Sequence, residues 1–378
     1  MAAPGPAKAE PLLGHPKYRK VADLARGTFG FVQLAEDLTT GEHLAIKARF
    51  CQDRTPEFVP RGEKITKYVE REIINHKQLK HPHVVELREV FLTAEYLAIA
   101  MEYAAGGDMY HRVVHCRGLP EGDARWYFQQ LVIAIDYCHR MGVANRDIKL
   151  ENTLLDDSER PLLKICDFGY SKHEKYQSAP GSRVGTPAYL APEVILTTKG
   201  KKYDGKSADT WACGVMLFIM LASAYPFGRP EDEQLKPSAK MHVMLQRILH
   251  TDYALPSHVR ASPEFRDLLG RILVADPAAR ISLADIQRHP WFLAELPEGC
   301  QDMNARLLEE PPEPEVQSVE ETEGIVREAM TAPAAAAAEA ARPTLNFDND
   351  DTLDTFMDEQ RCPGGGGSSA VFVAEDEW

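Results

Sequence analysis

The segment Asn145-Arg-Asp-Ile-Lys-Leu-Glu-Asn152, followed by Asp167-Phe-Gly169 and then Ala191-Pro-Glu193, decides the reading of this chain. Each residue type in it has a chemical use. Asp147 supplies a carboxylate able to take a hydroxyl proton, Lys149 a cation for developing phosphate charge, and Asn152 a neutral oxygen suited to magnesium. Asp167 gives a second hard oxygen, on a turn after the apolar stretch Leu163-Lys-Ile-Cys166. A 27-residue segment rich in Ser, Gly and Tyr runs from Asp167 to Glu193. Any one such triplet is common by chance; the set in this order and spacing is not.

Working toward the N-terminus, Gly27-Thr-Phe-Gly30 followed by Val32 falls on a turn between two expected strands. Bare backbone amides there can approach phosphate oxygens, although alone the pattern also suits a plain hairpin turn. Lys47 closes the apolar strand Leu44-Ala-Ile-Lys47; facing inward it needs a carboxylate, and Glu72 in Arg71-Glu-Ile-Ile74 is the helix residue available. Taken alone, Lys47 could also be an ordinary strand-edge lysine, the lesser of the two readings.

Residues 18–103 read as short strands with one helix over 67–79, which carries Val69, Ile73, Ile74 and Leu79 on one side. Helical spacing then dominates over 123–140, 207–222, 242–249 and 262–273. A small sheet-rich lobe followed by a larger helical one is expected, with no internal repeat.

These motifs resemble the signature set of the eukaryotic protein kinases: glycine-rich loop, strand lysine, helix glutamate, catalytic loop, D-F-G and A-P-E. The resemblance covers residues 18–292 and extends to Asp209 and to Arg280, which in the family pairs with the glutamate matching Glu193. It implies an α+β, bilobal kinase fold, with a small β-rich N-lobe (18–103) and a larger α-helical C-lobe (104–292). An N-terminal extension (1–17), a regulatory segment (293–330, with a helix over 316–330) and an Ala/Gly-linked acidic tail (331–378, mostly disordered) surround it.

The resemblance also assigns expected roles. Lys47, held by Glu72, grips ATP phosphates; Asn152 and Asp167 hold Mg2+; Asp147, with Lys149, serves the acceptor hydroxyl. Leu24, Ala25, Gly27, Gly30, Val32, Ala45, Met101 as gatekeeper, Glu102 to Ala104 as hinge, and Leu154 line the nucleotide. Lys149 and Gly185-Thr-Pro187 mark the serine/threonine type, with Thr186 beside the acceptor. Asp108 and Glu151, at substrate-facing positions, imply arginine a few residues before the target, although solvated carboxylates would read the same way.

A narrower likeness rests on Arg71-Glu-Ile-Ile-Asn-His76, Met101-Glu-Tyr-Ala-Ala-Gly-Gly107, Phe128-Gln-Gln-Leu131, Lys149-Leu-Glu-Asn-Thr-Leu-Leu155, Leu163-Lys-Ile-Cys-Asp-Phe-Gly-Tyr-Ser-Lys172, Val184-Gly-Thr-Pro-Ala-Tyr189 and Tyr203-Asp-Gly-Lys206. These are similar to the plant and green-algal sucrose non-fermenting-related kinases of subfamily two. In the tail, Gln317-Ser-Val-Glu-Glu321 and Ile325-Val-Arg-Glu-Ala329 resemble that subfamily's regulatory helix. The likeness implies osmotic-stress or nutrient signalling in cytosol and nucleus, activation at Ser182 with Ser178 secondary, an upstream kinase, and a type two C protein phosphatase on the acidic tail. A phosphate on Ser182, about two negative charges, would pair with Arg146. The rival readings are a pseudokinase scaffold and an energy-sensing kinase of the wider family.

Four departures stand out. Ala25 replaces a loop glycine, and Asn145 the usual histidine of the catalytic loop. Residues 51–60 read as an insertion. Thr322, Glu323 and Gly324 interrupt the apolar stripe of the regulatory helix, leaving Val316, Val319, Val326 and Met330.

Composition agrees with this division. The 378 residues are 44% hydrophobic and 26% charged, as in a globular chain. Residues 1–292 carry 39 Lys+Arg and 36 Asp+Glu, whereas 293–378 carry 4 and 21. A near-neutral body with a strongly acidic tail argues against nucleic-acid binding and for a basic partner surface. Seven scattered cysteines without a CxxC argue against a disulfide framework or a zinc site and favour a reducing compartment. Cys138 and Cys166 read as buried inert thiols, and His76, His81 and His83 as surface or packing residues. The uncharged run over 211–227 suits a buried helix better than a membrane span, so a soluble chain is expected.

Overall fold

The computed structural model describes residues 11–27, 30–50, 67–93, 96–169, 171–173, 186–197, 202–309 and 316–331. The first layer is an antiparallel sheet of β1 (Tyr18–Gly27), β2 (Gly30–Asp37), β3 (His43–Phe50), β4 (Leu87–Leu92) and β5 (Tyr96–Glu102), in the order β1-β2-β3-β5-β4. Period-two alternation sets its faces. On β3, Leu44, Ile46 and Ala48 are buried while Ala45, Lys47 and Arg49 are half-buried on the opposite side. Between β3 and β4, α1 (Lys67–Lys77) lays Val69 and Ile73 on Leu87, Val90, Leu97 and Ile99.

The second lobe is helical: α2 (Met109–Cys116), α3 (Glu121–Arg140), α4 (Pro192–Ile195), α5 (Gly205–Ala222), α6 (Pro237–His250), α7 (Pro263–Ile272), α8 (Leu283–Ile286) and α9 (Pro290–Leu293). Short strands β6 (Val143–Ala144), β7 (Thr153–Leu155), β8 (Leu163–Ile165) and β9 (Lys172–His173) pair as β6–β9 and β7–β8. Local chemistry starts the helices: Asp108 accepts from the His111 N–H at 2.8 Å, and Asp204 from the Lys206 N–H at 3.0 Å. Among the described residues no helix is long and apolar enough to cross a membrane. The run that suggested one is instead α5, buried all round from Thr210 to Ala222. Its Gly214 has a packing reason, since a Cβ there would meet Ile272 Cγ2 at 2.4 Å.

Two elements follow the second lobe, α10 (Met303–Glu309) and α11 (Val319–Thr331). Asn304 of α10 is buried and donates to Ile133 O and Asp136 Oδ2, both at 2.8 Å, and His81 Nε2 meets its Oδ1 at 3.1 Å. This ties the chain after α9 back to α3 and to the turn before β4.

Helix α11, where a regulatory helix is expected, is docked on the first lobe. Val326 and Ala329 are fully buried against Val69, Ile73, Leu87 and Val90, with Ile325 and Met330 beside them. Gln317 braces the edge strand β4: Val90 N–H donates to its Oε1, and its Nε2 donates to Val90 O, both at 2.9 Å. The helix begins at Val319 because Ser318 and Glu321 form a capping box, with the Glu321 N–H donating to Ser318 Oγ and the Ser318 N–H to Glu321 Oε2. Thr322 does not interrupt the buried face. It is fully buried, its hydroxyl donating to Ser318 O at 2.9 Å. Val316, expected in the apolar stripe, precedes the helix and is 73% exposed.

Candidate active site

The cleft between the lobes collects the charged motifs. Lys47 Nζ lies 3.0 Å from Glu72 Oε1, so β3 and α1 are joined by an ion pair whose carboxylate side chain is 9% exposed. Burial alone would lower the Lys47 ammonium pKa, but Glu72 and Asp167 outweigh it and raise it. Leu34 pairs in register with Ala45 and Ala45 with Met101, while Val32, two residues from Leu34, pairs with Lys47; strand alternation therefore puts Val32, Ala45 and Met101 on one face of the sheet. Glu102 and Ala104 continue from β5, and Leu154 bridges to Asp108 just beyond.

The turn ahead of this sheet explains its glycines. Gly30 has φ 145°, and a Cβ there would sit 2.0 Å from Ala48 O, so only glycine lets β2 cross β3 so closely. Ala25 shows no such demand: it pairs with Val32 and is not among the positive-φ residues. Leu24 is the extra residue of a β-bulge between the Asp23 and Ala25 pairs and is 42% exposed. Gly27 pairs with Gly30, while residues 28 and 29 lie outside the described residues.

The catalytic-loop residues are locked from beneath. Asp209, fully buried on α5, accepts from the Asn145 N–H at 2.9 Å, the Arg146 N–H at 2.7 Å and His139 Nε2 at 2.8 Å. These bonds hold Arg146 at φ 68° and so aim the chain that follows. Asp147 is then ringed: Asn152 Nδ2 donates to its Oδ2 at 2.9 Å, and Lys149 Nζ lies 3.1 Å from the same oxygen. Lys149 also donates to Thr186 Oγ1 at 3.0 Å.

Asp167 arrives from the other side. β7 pairs with β8, and the Cys166 N–H donates to Asn152 O at 3.0 Å, which sets Asp167 beside Asn152. Asp167 also has positive φ, 62°, and its Oδ1 accepts from the Gly169 N–H at 2.9 Å. Burial raises its carboxyl pKa, but Lys47, the Gly169 amide, Arg49 and Lys149 prevail and hold it below the ordinary aspartate range. Phe168 is buried against the His76 ring, 4.8 Å between centroids. Among the described residues no group of three or more His, Cys, Asp or Glu could cage a metal.

Other expected residues fall as follows. Asp108 caps α2 and meets His111 Nδ1 at 2.7 Å, and Glu151 accepts from Tyr189 OH at 3.5 Å. Arg280 Nη1 and Nη2 donate to the two Glu193 oxygens at 2.7 and 2.8 Å. Ser178 and Ser182 lie outside the described residues, as do the insertion at 51–60 and the tail beyond 331. Cys138 is buried, whereas Cys166, expected to be buried, is half-buried; desolvation raises the pKa of both, Cys166 to about 12. His76, His81 and His83 are all buried packing residues. Sequence reasoning missed Arg49, which reaches Glu72, and Asn304; the i, i+2 spacing of Lys47 and Arg49 on a strand carried the signal for the first.

The protein kinase domain model matches residues 18–292. Serine/threonine-protein kinase SRK2E of Arabidopsis thaliana is 47% identical over 84% of this chain and 83% of its own. SAPK9 of Oryza sativa subsp. japonica is 45% identical over 88% of each chain, and SRK2A of Physcomitrium patens 47% identical over 83% and 85%. With Lys47, Glu72, Asp147, Asn152 and Asp167 gathered in one cleft, the chain belongs to the protein kinase domain family and, within it, to the plant SRK2 and SAPK type, the sucrose non-fermenting-related kinases of subfamily two.

Proposed function

We propose that this enzyme transfers the γ-phosphoryl group of ATP to serine and threonine hydroxyls of proteins, in stress signalling. The observation that carries the reading is the ring around Asp147, where Asn152 and Lys149 converge on one carboxylate oxygen within 3.1 Å. Its Oδ1 is the oxygen on the Thr186 side, at 3.5 Å from that hydroxyl. Such a carboxylate, fixed on one oxygen, can orient an acceptor hydroxyl and take its proton with the other.

The donor set fits magnesium. Both amide hydrogens of Asn152 go to Asp147, on its backbone O and its Oδ2, which reserves the amide oxygen for a cation. Asp167, held ionised, is the second hard ligand, and phosphates and water complete such a shell. Bound with ATP, magnesium neutralises charge on the phosphates. The chain's own share is positioning. Lys47 grips phosphate oxygens; Leu24, Val32, Ala45, Met101, Leu154 and the backbone of Glu102 and Ala104 enclose the base; Lys149 and Thr186 keep Asp147 in place. Asp108 and Glu151 favour substrates with arginine before the target residue.

Activation runs through phosphate on Ser182, with Ser178 secondary, placed there by an upstream kinase and drawn to Arg146. The acidic tail is the docking element for a type two C phosphatase, and the enzyme works in cytosol and nucleus. The test is transfer from labelled ATP with magnesium to an arginine-directed serine peptide, with wild type, Asp147→Ala and Ser182→Ala compared. Transfer by wild type that is lost in the first variant and reduced in the second is expected. No transfer by wild type, even after treatment with an activating kinase, would leave a scaffold.

A further inference from the structure

Glu72 has two cations. Besides Lys47 at 3.0 Å from Oε1, Arg49 Nη2 lies 3.1 Å from Oε1 and 2.9 Å from Oε2. The site is shielded, with side-chain exposures of 25% for Lys47, 15% for Arg49 and 9% for Glu72. Strand alternation puts the two cations side by side: positions 45, 47 and 49 face one way, while 44, 46 and 48 are buried on the other face. The guanidinium acts here through one terminal nitrogen shared between both carboxylate oxygens. Its Nε is buried without a hydrogen-bond partner among the described residues.

A lysine that must grip phosphate oxygens has less charge to give its glutamate, and a buried carboxylate stripped of its cation is strongly destabilising. Arginine removes that conflict, because it is always charged and here one terminal nitrogen reaches both carboxylate oxygens. We infer that Arg49 is a positioning residue, keeping Glu72 neutralised and α1 seated on the sheet while Lys47 turns to the nucleotide. The inference rests on the reading of Lys47 as the phosphate cation. It has a structural corollary: α1 is held by a double latch, and neither cation alone is needed to keep it in place. The charge of Arg49 also reaches Asp167, where it is one of the influences holding that carboxylate ionised.

Hydrogen–deuterium exchange of α1 in the full chain tests the latch, with wild type, Lys47→Met, Arg49→Met and the double variant compared. Exchange in α5 serves as the control for intact folding of the rest. Each single variant should leave α1 exchange within about threefold of wild type, and the double variant should speed it about tenfold or more. In kinetics, Arg49→Met should raise the KM for ATP several-fold, because Lys47 must then serve both anions, with peptide KM unchanged. Arg49→Lys should recover most of the loss. The inference is overturned if Lys47→Met alone frees α1 as fully as the double variant, or if Arg49→Met changes neither ATP KM nor exchange in any background. Should wild type transfer no phosphate, the kinase reading falls, while the exchange comparison still decides whether Arg49 holds Glu72.

Discussion

Asn145 Nδ2 donates to the backbone carbonyl of Asp167 at 2.9 Å, while its Oδ1 accepts from the Asp147 N–H at 3.0 Å. One buried amide, 1% exposed, therefore joins the loop that carries Asp147 to the loop that carries Asp167. The residue that stands where the family has histidine does the joining, and an amide cannot titrate.

The first prediction follows from that bridge. Asn145→Ala leaves a buried carbonyl and a buried N–H without partners, at a cost of about 1–3 kcal/mol each. Catalysis should fall about tenfold or more, with substrate KM values little changed. Asn145→His, which restores a ring donor toward Asp167, should keep most of the rate. Equal rates for wild type and Asn145→Ala would show that the bridge does not position the loops.

Helix α11 gives the second. Val326 is fully buried and Gln317 holds both polar groups of Val90. Gln317→Ala should cost about 1–2 kcal/mol, and Val326→Asp, which buries a charge among apolar side chains, several kcal/mol of docking. Amide exchange at Val90 reads both variants. If Val326→Asp leaves that amide as protected as in wild type, the helix does not brace β4.

Much of this was legible in the sequence because the chemistry is local in pattern. Asp147, Asn152, Asp167 and the Lys47–Glu72 pair announce themselves by residue type and order, and the strands of the first lobe by alternation. β4 is less visible, since Leu87-Arg-Glu-Val-Phe-Leu92 alternates poorly and its register with β5 slips between Leu87 and Glu89. The docking of α11 was also obscured. Thr322 reads as a polar interruption in one dimension, yet its hydroxyl bonds to its own helix at Ser318 O, so it can be buried at little cost. The roles of Asn304 and Gln317 could not be read, because each depends on backbone groups far away in the chain.

A third prediction concerns the ion pair between Arg280 and Glu193. Arg280 is 7% exposed and meets Glu193 through two parallel bonds, with Trp211 at 5.1 Å. Removing one partner strands a buried charge, so Arg280→Ala should cost about 3–5 kcal/mol. The double variant Arg280→Met/Glu193→Leu removes both charges and should be the milder of the two. Urea midpoints decide it, and a double variant no better than Arg280→Ala would sink the account.

The last prediction is a pH dependence. Burial drives the His81 pKa down to about 3, with His83 adding to the shift and the Asn304 bond opposing it. Burial likewise lowers His83 to about 4. Both lie below the ordinary value of 6.5, so the folded chain refuses protons that the unfolded chain accepts. Above that value neither state binds them and the histidines are neutral in the balance. As the pH falls from about 6.5 toward about 4, each histidine should cost the fold about 1.4 kcal/mol per pH unit. Carboxylates contribute their own slope, so the comparison must be differential. His81→Gln cannot take the proton in either state, and its stability should therefore fall less steeply than that of wild type across this window. At neutral pH the variant is the weaker protein, because the glutamine packs poorly on Tyr137 and Asn304. The gap should narrow by about 1.4 kcal/mol for each unit of acidification. Urea unfolding of both proteins at several pH values measures it, and a gap that stays constant would mean that His81 takes its proton in the folded state.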